Sequence, residues 1–443
     1  MKQAAGQPRI LKISDKITLL AESAPHCVSS AIYWWVGCGS RHESPALNGA
    51  THLAEHMFFK GTSQHSAEEL SFLFERFGGD VNAFTERELT CFHAWVPAEK
   101  TELALNLLAE MLFDSLFTKE DFTKERAVVV EELKGYEDSP DEVFQDGLLD
   151  TPWSEGRSLG RRIGGFARDV KRLSGEDLLR HVEDRFLRSP MAIGIVTPLE
   201  PGEVARLLRA ALARVAKMRF GRLAFERARR PSFEKARFTA RPRAVSRVTS
   251  FDTDQVHVGV LFSAPSIRHR DEPSMTALSN LLGGGSSSAL FRTLREDKGL
   301  TYSAHTTYQT FVDTGLLSIQ FATNPRKWEE ALEAASEVCH RFARGIGESE
   351  LEMARGQLLG STQLGFESIH GRAEMYGRQW LLMGRIYSLK ESLKEIRELT
   401  VKGISRFAHG LAATPCLYLL GPLRARDMNK AWKAWEAGAS AHR

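Results

Sequence analysis

The run Thr51-His52-Leu53-Ala54-Glu55-His56-Met57-Phe58 organises the rest of this chain. On a helix, His52 and His56 lie one turn apart on the same face, with Glu55 beside them. Two imidazoles in this position can hold one divalent ion, and zinc is the natural candidate because it accepts imidazole and carboxylate ligands. A carboxylate that does not bind the metal can accept a proton from water. The alternative is an amphipathic surface helix that carries two histidines on a polar edge.

Hydrophobic patterns predict a sheet before this helix and more helices after it. Residues 17–21 and 28–36 have the composition of strands, and the motif helix is predicted to start near Asn48, a good N-cap residue. Ser66 and Glu69 form a capping-box pattern that opens the next helix. Residues 80–96 then read as a strand or a strand pair. A longer helix follows, capped by Thr118 and running through Lys134, with its buried side predicted at Phe122, Val129, Leu133 and Tyr136.

Two glutamates on that long helix are candidates for the missing zinc ligand. Glu125 and Glu132 are seven residues apart, which is two helical turns, so they share a face. A helix packed against the motif helix would aim Glu132 at the ion. Glu125 would then lie behind it and orient His52 or His56 through the other imidazole nitrogen. Alternatively, both glutamates are solvated surface charges, which are common on helices.

The same residues give the chain a specific resemblance. An H-x-x-E-H run, followed after 75 further residues by the last glutamate of Glu125-Arg126-Ala127-Val128-Val129-Val130-Glu131-Glu132, resembles the pitrilysin-type inverzincin zinc metallopeptidases. The processing-peptidase-like branch, with the mitochondrial processing peptidase and its bacterial relatives, is the most similar. Further similarity lies in Glu55-His56-Met57-Phe58-Phe59-Lys60-Gly61-Thr62, in Gly78-Gly79-Asp80-Val81-Asn82-Ala83-Phe84-Thr85 with Glu88 and Thr90, and in Tyr136-Glu137-Asp138-Ser139-Pro140.

The resemblance implies a role for each residue of the site. His52, His56 and Glu132 would bind one Zn²⁺ per active chain, Glu55 would be the general base, and Glu125 a supporting carboxylate. The strand Asn82, Ala83, Phe84 and Thr85 would be a sheet edge to which an extended peptide adds as a further strand.

The second half of the chain contributes two more candidates. The segment Leu290-Phe291-Arg292-Thr293-Leu294-Arg295-Glu296-Asp297-Lys298-Gly299-Leu300-Thr301-Tyr302-Ser303 resembles the family's arginine and tyrosine segment. By the resemblance, Arg295 and Tyr302 would bind the substrate carbonyl and stabilise the oxyanion. Arg295 could instead pair with a surface carboxylate, and Tyr302 could be a core residue. The preceding Gly283-Gly284-Gly285-Ser286-Ser287-Ser288 lacks the lysine of a phosphate-binding loop.

The two halves form a faint repeat at an offset of 229 residues. At that offset Glu125 matches Ala354 and Glu132 matches Ser361, so the second half has no equivalent ligands. We expect an α+β fold of two similar α/β sandwich domains, each a mostly antiparallel sheet with packed helices, related by internal duplication. The predicted domains are 1–218 with the metal site, a basic linker at 219–243, and 244–443 with the arginine and tyrosine segment. A nucleic-acid patch is the competing interpretation of the basic linker.

Composition narrows the possible partners and location. With 443 residues, 42% hydrophobic and 26% charged, the chain is globular, and its net charge of +3 indicates neither nucleic-acid binding nor a membrane surface. Residues 1–14 lack an apolar run for a signal peptide, and no stretch is predicted to insert into a membrane, so we expect a cytoplasmic protein. Five scattered cysteines argue against a disulfide framework.

The resemblance also implies an assembly. Family members enclose unfolded peptides or small proteins in a chamber between two units of about this size, so a homodimer is expected, or a heterodimer with a metal-free paralogue. In a dimer, Arg295 and Tyr302 would complete the site of the partner subunit. Two alternatives stay open: a non-catalytic scaffold or peptide-binding subunit of a heterodimeric peptidase, and a zinc hydrolase acting on a non-peptide substrate. The intact set of His52, Glu55, His56 and Glu132 favours the peptidase.

Overall fold

The computed structural model describes residues 7–155 and 157–440, so part of the segment 1–14 and the last three residues lie outside it. Within these ranges the strands are β1 Arg9–Lys12, β2 Ile17–Ser23, β3 Ser29–Val36, β4 Asp80–Thr85, β5 Thr90–Pro97, β6 Trp153–Glu155, β7 Met191–Thr197, β8 Arg237–Phe238, β9 Arg247–Ser250, β10 Val256–Ala264, β11 Thr301–Thr310, β12 Gly315–Thr323 and β13 Cys416–Gly421. The helices are α1 Ala50–Met57, α2 Ala67–Glu75, α3 Thr101–Asp114, α4 Lys119–Glu137, α5 Pro140–Asp150, α6 Ala167–Val170, α7 Gly175–His181, α8 Pro201–Val215, α9 Pro242–Val245, α10 Glu272–Gly283, α11 Ala289–Phe291, α12 Trp328–Ala343, α13 Glu348–Glu367, α14 Ile369–Met383, α15 Leu389–Arg397, α16 Val401–Ala408 and α17 Met428–Ser440.

Two mixed sheets carry the fold. The N-terminal sheet has the strand order β1-β2-β7-β3-β5-β4, and the C-terminal sheet has the order β11-β12-β10-β13-β9. All pairings are antiparallel except β2 with β7 and β9 with β13, which are parallel. If β1 is set aside, the order β2-β7-β3-β5-β4 repeats as β9-β13-β10-β12-β11, with the parallel pair in the same place. The two halves therefore share one topology, which confirms the predicted duplication.

The helices follow the same repeat. Lys119 and Pro140 begin α4 and α5, and the residues 229 positions later, Glu348 and Ile369, begin α13 and α14. The strongly apolar β3, with Ser30 to Val36 buried, has the composition of a strand covered on both faces. On one face of the N-terminal sheet lie α1, α3 and α8, whose apolar residues join a common core, and α14 packs against β3 and β7 on the other.

Contacts between residues divide the described chain into two compact units that are not continuous in sequence. The first unit comprises Met1–Gly135, Arg161–Phe233 and Gln363–Lys390, and the second comprises Tyr136–Gly160, Glu234–Thr362 and Glu391–Arg443. Helix α5 lies in the N-terminal repeat of the sequence but belongs to the second unit. Its equivalent in the C-terminal repeat, α14, belongs to the first unit. Each unit therefore contains a helical segment from the other repeat. The domains 1–218, 219–243 and 244–443 stay a prediction, and the units do not follow those boundaries.

Several local predictions can be compared with the described elements. The capping box of α2 is confirmed: the Ser66 hydroxyl accepts from the Glu69 N–H, and the Glu69 carboxylate accepts from the Ser66 N–H. The prediction for Tyr136 is wrong, because its side chain is 41% exposed. Tyr136 follows Gly135, the last residue of α4 that belongs to the first unit, and so lies beyond the core that buries Leu133.

The basic segment that follows α8 is only partly exposed. Phe220, Leu223 and Ala224 are buried in the core of the first unit, whereas most of residues 225–235 are exposed or half-buried. All five cysteines are free thiols and four are buried, in agreement with the absence of a disulfide framework. Among the described residues, no helix combines the length and the apolar character needed to cross a membrane.

Candidate metal centre

Helix α1 carries the H-x-x-E-H residues and is largely buried. Its first residue is Ala50, and Gly49 before it occupies the N-cap position with a φ of 91°, a conformation that favours glycine. Thr51, Leu53, Ala54, Glu55 and Met57 are buried, so the alternative of a surface helix is wrong. The predicted cap is also wrong, because Asn48 has no capping role and instead donates its amide to Glu43 and to the carbonyl of Arg162.

The three predicted ligands, His52, His56 and Glu132, lie close together. This is the arrangement expected if α4 packs against α1. The Nε2 atom of His52 lies 3.9 Å from Oε1 of Glu132, and the Nε2 atom of His56 lies 3.6 Å from Oε2 of the same carboxylate. The two imidazole rings are 4.8 Å apart, centroid to centroid. One ligand atom from each residue lies within 4.8 Å of the others, and the described residues contain no other such group of three.

This donor set fits zinc. Two neutral imidazole nitrogens and one carboxylate oxygen are a common ligand set of catalytic zinc sites, which keep the fourth tetrahedral position open. Ligand atoms around a tetrahedral zinc lie about 3.3 Å apart, for bonds of roughly 2.0 Å. The separations of 3.6 and 3.9 Å therefore need only small side-chain adjustments to close around an ion. All three residues are half-buried, so none of them is sealed off from solvent.

Glu125 lies behind His56, at the position predicted for a supporting carboxylate. Its Oε2 atom is 3.5 Å from Nδ1 of His56, and its Oε1 atom is 2.8 Å from the ammonium of Lys60. The Nδ1 atom of His56 thus faces a carboxylate while Nε2 faces Glu132, which is the orientation that favours metal binding through Nε2. Of the two histidines, His56 is the one that Glu125 contacts.

His52 is held differently. Its Nδ1 atom is buried and has no hydrogen-bond partner among the described residues. Gly164 packs against this ring, because a Cβ atom on Gly164 would lie 3.4 Å from Nδ1 of His52 and 2.7 Å from Cδ2 of Leu133. Burial first, and then the neighbouring His56, lower the pKa of His52 to about 4, although Glu132 acts in the opposite direction. His52 is therefore neutral near pH 7, the form that binds a metal.

Glu55 lies on α1 and is not one of the three grouped residues. Its Oε2 atom accepts a hydrogen bond of 2.5 Å from the hydroxyl of Thr85, the last residue of β4. Burial is the main cause that raises the pKa of Glu55 to about 7, and the charge of Glu132 adds to it. A buried carboxylate with a pKa near neutrality has the properties of a general base or acid.

The predicted substrate strand, Asn82 to Thr85, is part of β4, which lies at the end of the N-terminal sheet. Its side chains alternate between the two faces. Thr85 reaches Glu55 on the α1 face, and Ala83 points to the same side. Asn82 and Phe84 lie on the opposite face, where the Phe84 ring meets Trp35 edge to face at 5.4 Å.

Arg295 and Tyr302 are neighbours in the second unit. The guanidinium of Arg295, on a π-helical turn at Arg292–Asp297, stacks 4.7 Å from the ring centroid of Tyr302 and 4.8 Å from that of Phe291. Arg295 also pairs with Glu296, its nitrogen lying 3.5 Å from a carboxylate oxygen. Tyr302 is 80% exposed, so the alternative of a core residue is wrong. His52, His56 and Glu132 belong to the first unit, whereas Arg295 and Tyr302 belong to the second.

Three contacts at the site were not foreseen from the sequence: Lys60 with Glu125, Thr85 with Glu55, and Gly164 with His52. Lys60 and Thr85 lie in stretches that carry the family resemblance, but spacing alone does not tell which side chain they meet. Gly164 lies more than one hundred residues from His52. Nothing in the local pattern around it marks a contact with an imidazole.

Comparisons with known proteins agree with this geometry. The family model described as Insulinase (Peptidase family M16) matches residues 18–164, and that described as Peptidase M16 inactive domain matches residues 172–358. A protein of Bacillus subtilis named an uncharacterized zinc protease is 33% identical over 89% of this chain and 93% of its own length. Another protein with that name, from Streptomyces coelicolor, is 30% identical over 96% of this chain and 92% of its own.

Solved structures show the same fold at lower identity. A peptidase M16 inactive domain from Pseudomonas fluorescens has a TM-score of 0.83 and 16% identity, covering 95% of this chain and 98% of that one. A protease from Helicobacter pylori has a TM-score of 0.80 and 19% identity, covering 94% and 99%. Family models and full-length relatives thus agree with the resemblance of the H-x-x-E-H and glutamate residues, and the chain belongs to peptidase family M16, the insulinase and pitrilysin type.

Proposed function

We propose that this chain is a zinc-dependent endopeptidase that hydrolyses unfolded peptides or small proteins. The observation that carries the proposal is the group of His52, His56 and Glu132 next to a separate carboxylate, Glu55, which is held by Thr85. The names of the relatives as zinc proteases support it. A scaffold protein would have no use for two half-buried imidazoles facing a carboxylate, because burying such groups costs free energy.

His52, His56 and Glu132 would hold one zinc ion, with Glu125 and Lys60 behind His56. When bound, zinc supplies Lewis-acid chemistry, lowering the pKa of water and polarising a carbonyl group. Glu55 accepts the proton of the attacking water and then passes a proton to the amine that leaves when the peptide bond breaks. The hydroxyl of Thr85 donates to one oxygen of Glu55, which leaves the other oxygen to take the proton. Burial, which raises the pKa of Glu55 in the metal-free protein, favours retention of the proton by Glu55 between the two steps.

The substrate is proposed to bind as an added strand at the free edge of β4. Main-chain hydrogen bonds to an edge strand are largely independent of side chains, so this mode accepts many sequences. It requires an extended peptide, which a folded protein does not offer. Because Thr85 ends β4 and contacts Glu55, a peptide paired with β4 runs towards the proposed base. This proximity supports placing the scissile bond near the end of the strand.

Arg295 and Tyr302 are proposed to bind the substrate carbonyl and to stabilise the developing oxyanion. The exposure of Tyr302 and its stacking with Arg295 suit a pair that meets a ligand outside its own unit. We propose that they act on a partner subunit across a closed dimeric chamber, in a homodimer or in a heterodimer with a metal-free paralogue. The resemblance to the processing-peptidase branch supports this arrangement, and a cytoplasmic location is proposed with it.

A non-catalytic subunit is the second candidate. A chain of Complex III2 from Candida albicans has the same fold, with a TM-score of 0.78 and 16% identity over 96% of this chain and 99% of that one. That likeness concerns the fold alone. The complete set of His52, Glu55, His56 and Glu132 favours catalysis, and a zinc hydrolase of non-peptide substrates would leave the β4 edge without a use.

Removal and return of the metal test the proposal. The purified protein is treated with a chelator, dialysed and supplied again with zinc, and cleavage is followed with an unstructured peptide and with a stably folded globular protein. We expect cleavage of the peptide, loss of cleavage without metal, recovery with zinc, and little digestion of the folded protein. Cleavage that persists after complete metal removal would disprove the zinc mechanism. Equal digestion of both substrates would disprove the closed chamber.

A further inference from the structure

The first turn of α1 is capped by a side chain from outside the helix. Oε2 of Glu43 accepts hydrogen bonds from the backbone N–H of Gly49 at 2.9 Å and from the amide of Asn48 at 3.3 Å, and Oε1 accepts from the N–H of Thr51 at 2.7 Å. Gly49 at the N-cap has no side chain with which to do this. One buried carboxylate therefore satisfies two of the backbone donors that a helix N-terminus leaves free.

A return segment, defined as residues 161–165, surrounds the same turn. The guanidinium of Arg161 donates to the carbonyl oxygen of Glu43 at 2.7 Å, and the amide of Asn48 donates to the carbonyl of Arg162 at 3.0 Å. A Cβ atom on Gly49 would lie 2.3 Å from the carbonyl oxygen of Gly164. The backbone of the return segment therefore touches the backbone at the start of α1. Hydrogen bonds through Glu43 and Asn48 thus connect the first turn of α1 with the return segment.

This capping matters because of how His52 is supported. His56 has Glu125 at its second nitrogen, but Nδ1 of His52 has no hydrogen-bond partner among the described residues. The orientation of the His52 ring therefore depends on its backbone and on packing against Gly164. The backbone of His52 follows directly after Thr51, whose N–H binds Glu43. In a helix of eight residues, the hydrogen bonds at one end are a large share of all that fix it.

We propose that Glu43 is a positioning residue of the metal centre, which fixes the first turn of α1 so that His52 keeps its ligand atom aimed at the ion. The inference rests on the proposed zinc site and adds a residue that the site geometry alone does not include. Glu43 touches neither metal ligand nor substrate. It acts through the backbone of Gly49 and Thr51 and through the contact of the return segment with the helix.

These contacts offset only part of the cost of burying the carboxylate of Glu43. Burial raises the pKa of Glu43 to about 7, while the N–H groups of Thr51 and Gly49 act in the opposite direction. The positive end of the helix dipole favours the ionised form at this place. An amide in place of the carboxylate keeps the shape but loses one acceptor oxygen and the charge.

The test compares Glu43→Gln with a control in the same unit, Tyr376→Phe. Tyr376 is buried and donates to Glu22, away from α1, so its loss reports what destabilisation alone does. Zinc affinity is measured by competition with a chelator, together with kcat, KM and Tm. For Glu43→Gln we expect zinc affinity to fall by roughly tenfold or more, in the range seen when groups that orient metal ligands are lost. For Tyr376→Phe we expect a lower Tm with unchanged zinc affinity.

Each outcome bears on one proposal. Wild-type zinc affinity in folded Glu43→Gln would overturn the positioning role while leaving the peptidase proposal intact. Absence of zinc binding and cleavage in the wild type would instead disprove the proposed function. If Glu43→Gln does not fold, Asn48→Ala removes one donor to Glu43 and one contact with Arg162, and it should weaken zinc binding in the same direction by less. Unchanged affinity in Asn48→Ala would then count against the inference.

Discussion

Helices α1 and α10 occupy the same place in the two repeats, and their polar residues differ. In the first unit, Thr85 from β4 donates to the carboxylate of Glu55. In the second unit, Thr306 from β11 meets the hydroxyl of Ser279 at 3.1 Å and donates to its carbonyl oxygen at 2.6 Å. Ser279 thus meets a threonine of the neighbouring strand, as Glu55 does. When Ser279 is paired with Glu55 on the ground of this contact, Thr276 and Asn280 pair with His52 and His56 by the spacing of the motif, and T-x-x-S-N stands where the first unit has H-x-x-E-H.

The second unit satisfies these polar groups internally. Asn280 donates to Gln357 of α13 at 2.9 Å, and Thr276 donates to Glu272 one turn earlier on α10 at 2.7 Å. The first unit instead leaves a half-buried His52 and a buried Glu55 with strongly shifted pKa values. Perturbed groups of this kind concentrate at functional sites, since burying them without a ligand is unfavourable. The scaffold is thus common to both repeats, whereas the chemistry depends on a few side chains in one of them.

The largest effect is expected from removing the carboxylate that distinguishes the two helices. Glu55→Gln keeps the volume and the Thr85 contact but cannot accept a proton. We expect kcat to fall by roughly 10²–10⁴, the usual contribution of a general base, with bound zinc retained. The matched change in the second unit, Ser279→Ala, should leave kcat within about twofold. Similar losses of kcat in both variants would break the comparison between the repeats.

The second-largest effect is expected from removing a group by which the second unit is proposed to take part in catalysis. Tyr302→Phe removes an exposed phenol, and we expect kcat to fall by about 10²–10³, as for loss of one oxyanion donor, with zinc content unchanged. Tyr308→Phe, on the same strand, removes a hydroxyl that donates to the carbonyl of Pro265 instead. The Tyr308→Phe control should have a slightly lower Tm and an unchanged kcat. If Tyr302→Phe retained full activity, the second unit would have no direct part in catalysis.

A smaller effect is expected on the stability of the metal-free protein. Burial raises the pKa of Glu55 from 4.5 to about 7 in the folded state, so the folded protein holds a proton that the unfolded chain releases. The stabilisation is complete below pH 4.5 and is lost as the pH rises to 7, by up to roughly 3 kcal/mol. The Glu55→Gln variant does not lose stability over this pH range, because its amide does not titrate. The difference in Tm between variant and wild type should therefore grow from pH 4.5 to pH 7 and then level off.

The control for this pH profile is Ser279→Ala, whose difference from wild type should not change with pH. Other buried acids, such as Glu43, contribute equally to wild type and variant and cancel in the difference. A Tm difference for Glu55→Gln that is constant between pH 4.5 and pH 7 would show that Glu55 is not buried as described.

Much of this could be predicted from the sequence. Helical spacing made the ligands candidates, since His52 and His56 share a face and Glu125 and Glu132 share another, and the family resemblance singled out His52, His56 and Glu132 as the ligand set. The duplication followed from the offset of 229 residues, and the strand predicted at 28–36 is observed as β3, Ser29–Val36. These features are local, or repeat a local pattern, which is why periodicity and spacing already indicate them.

The rest depends on contacts between distant residues. Lys60, three residues after the end of α1, meets Glu125 on α4, and Gly164 meets His52 after more than one hundred residues. The cap of α1 was assigned to Asn48 by local preference, but a longer-range carboxylate, Glu43, takes that role. The exposure of Tyr136 depends on where the first unit ends. None of these is encoded in a short window of sequence.

Zinc content per chain shows whether the first unit alone holds the metal. The bound zinc of purified wild type, His56→Ala and Asn280→Ala is measured by elemental analysis after removal of loosely bound metal. We predict about one zinc per chain in the wild type and in Asn280→Ala, and close to none in His56→Ala, because zinc sites require their full ligand set. Retention of one zinc in folded His56→Ala, or two zinc ions in the wild type, would show that metal binds outside the His52, His56 and Glu132 group.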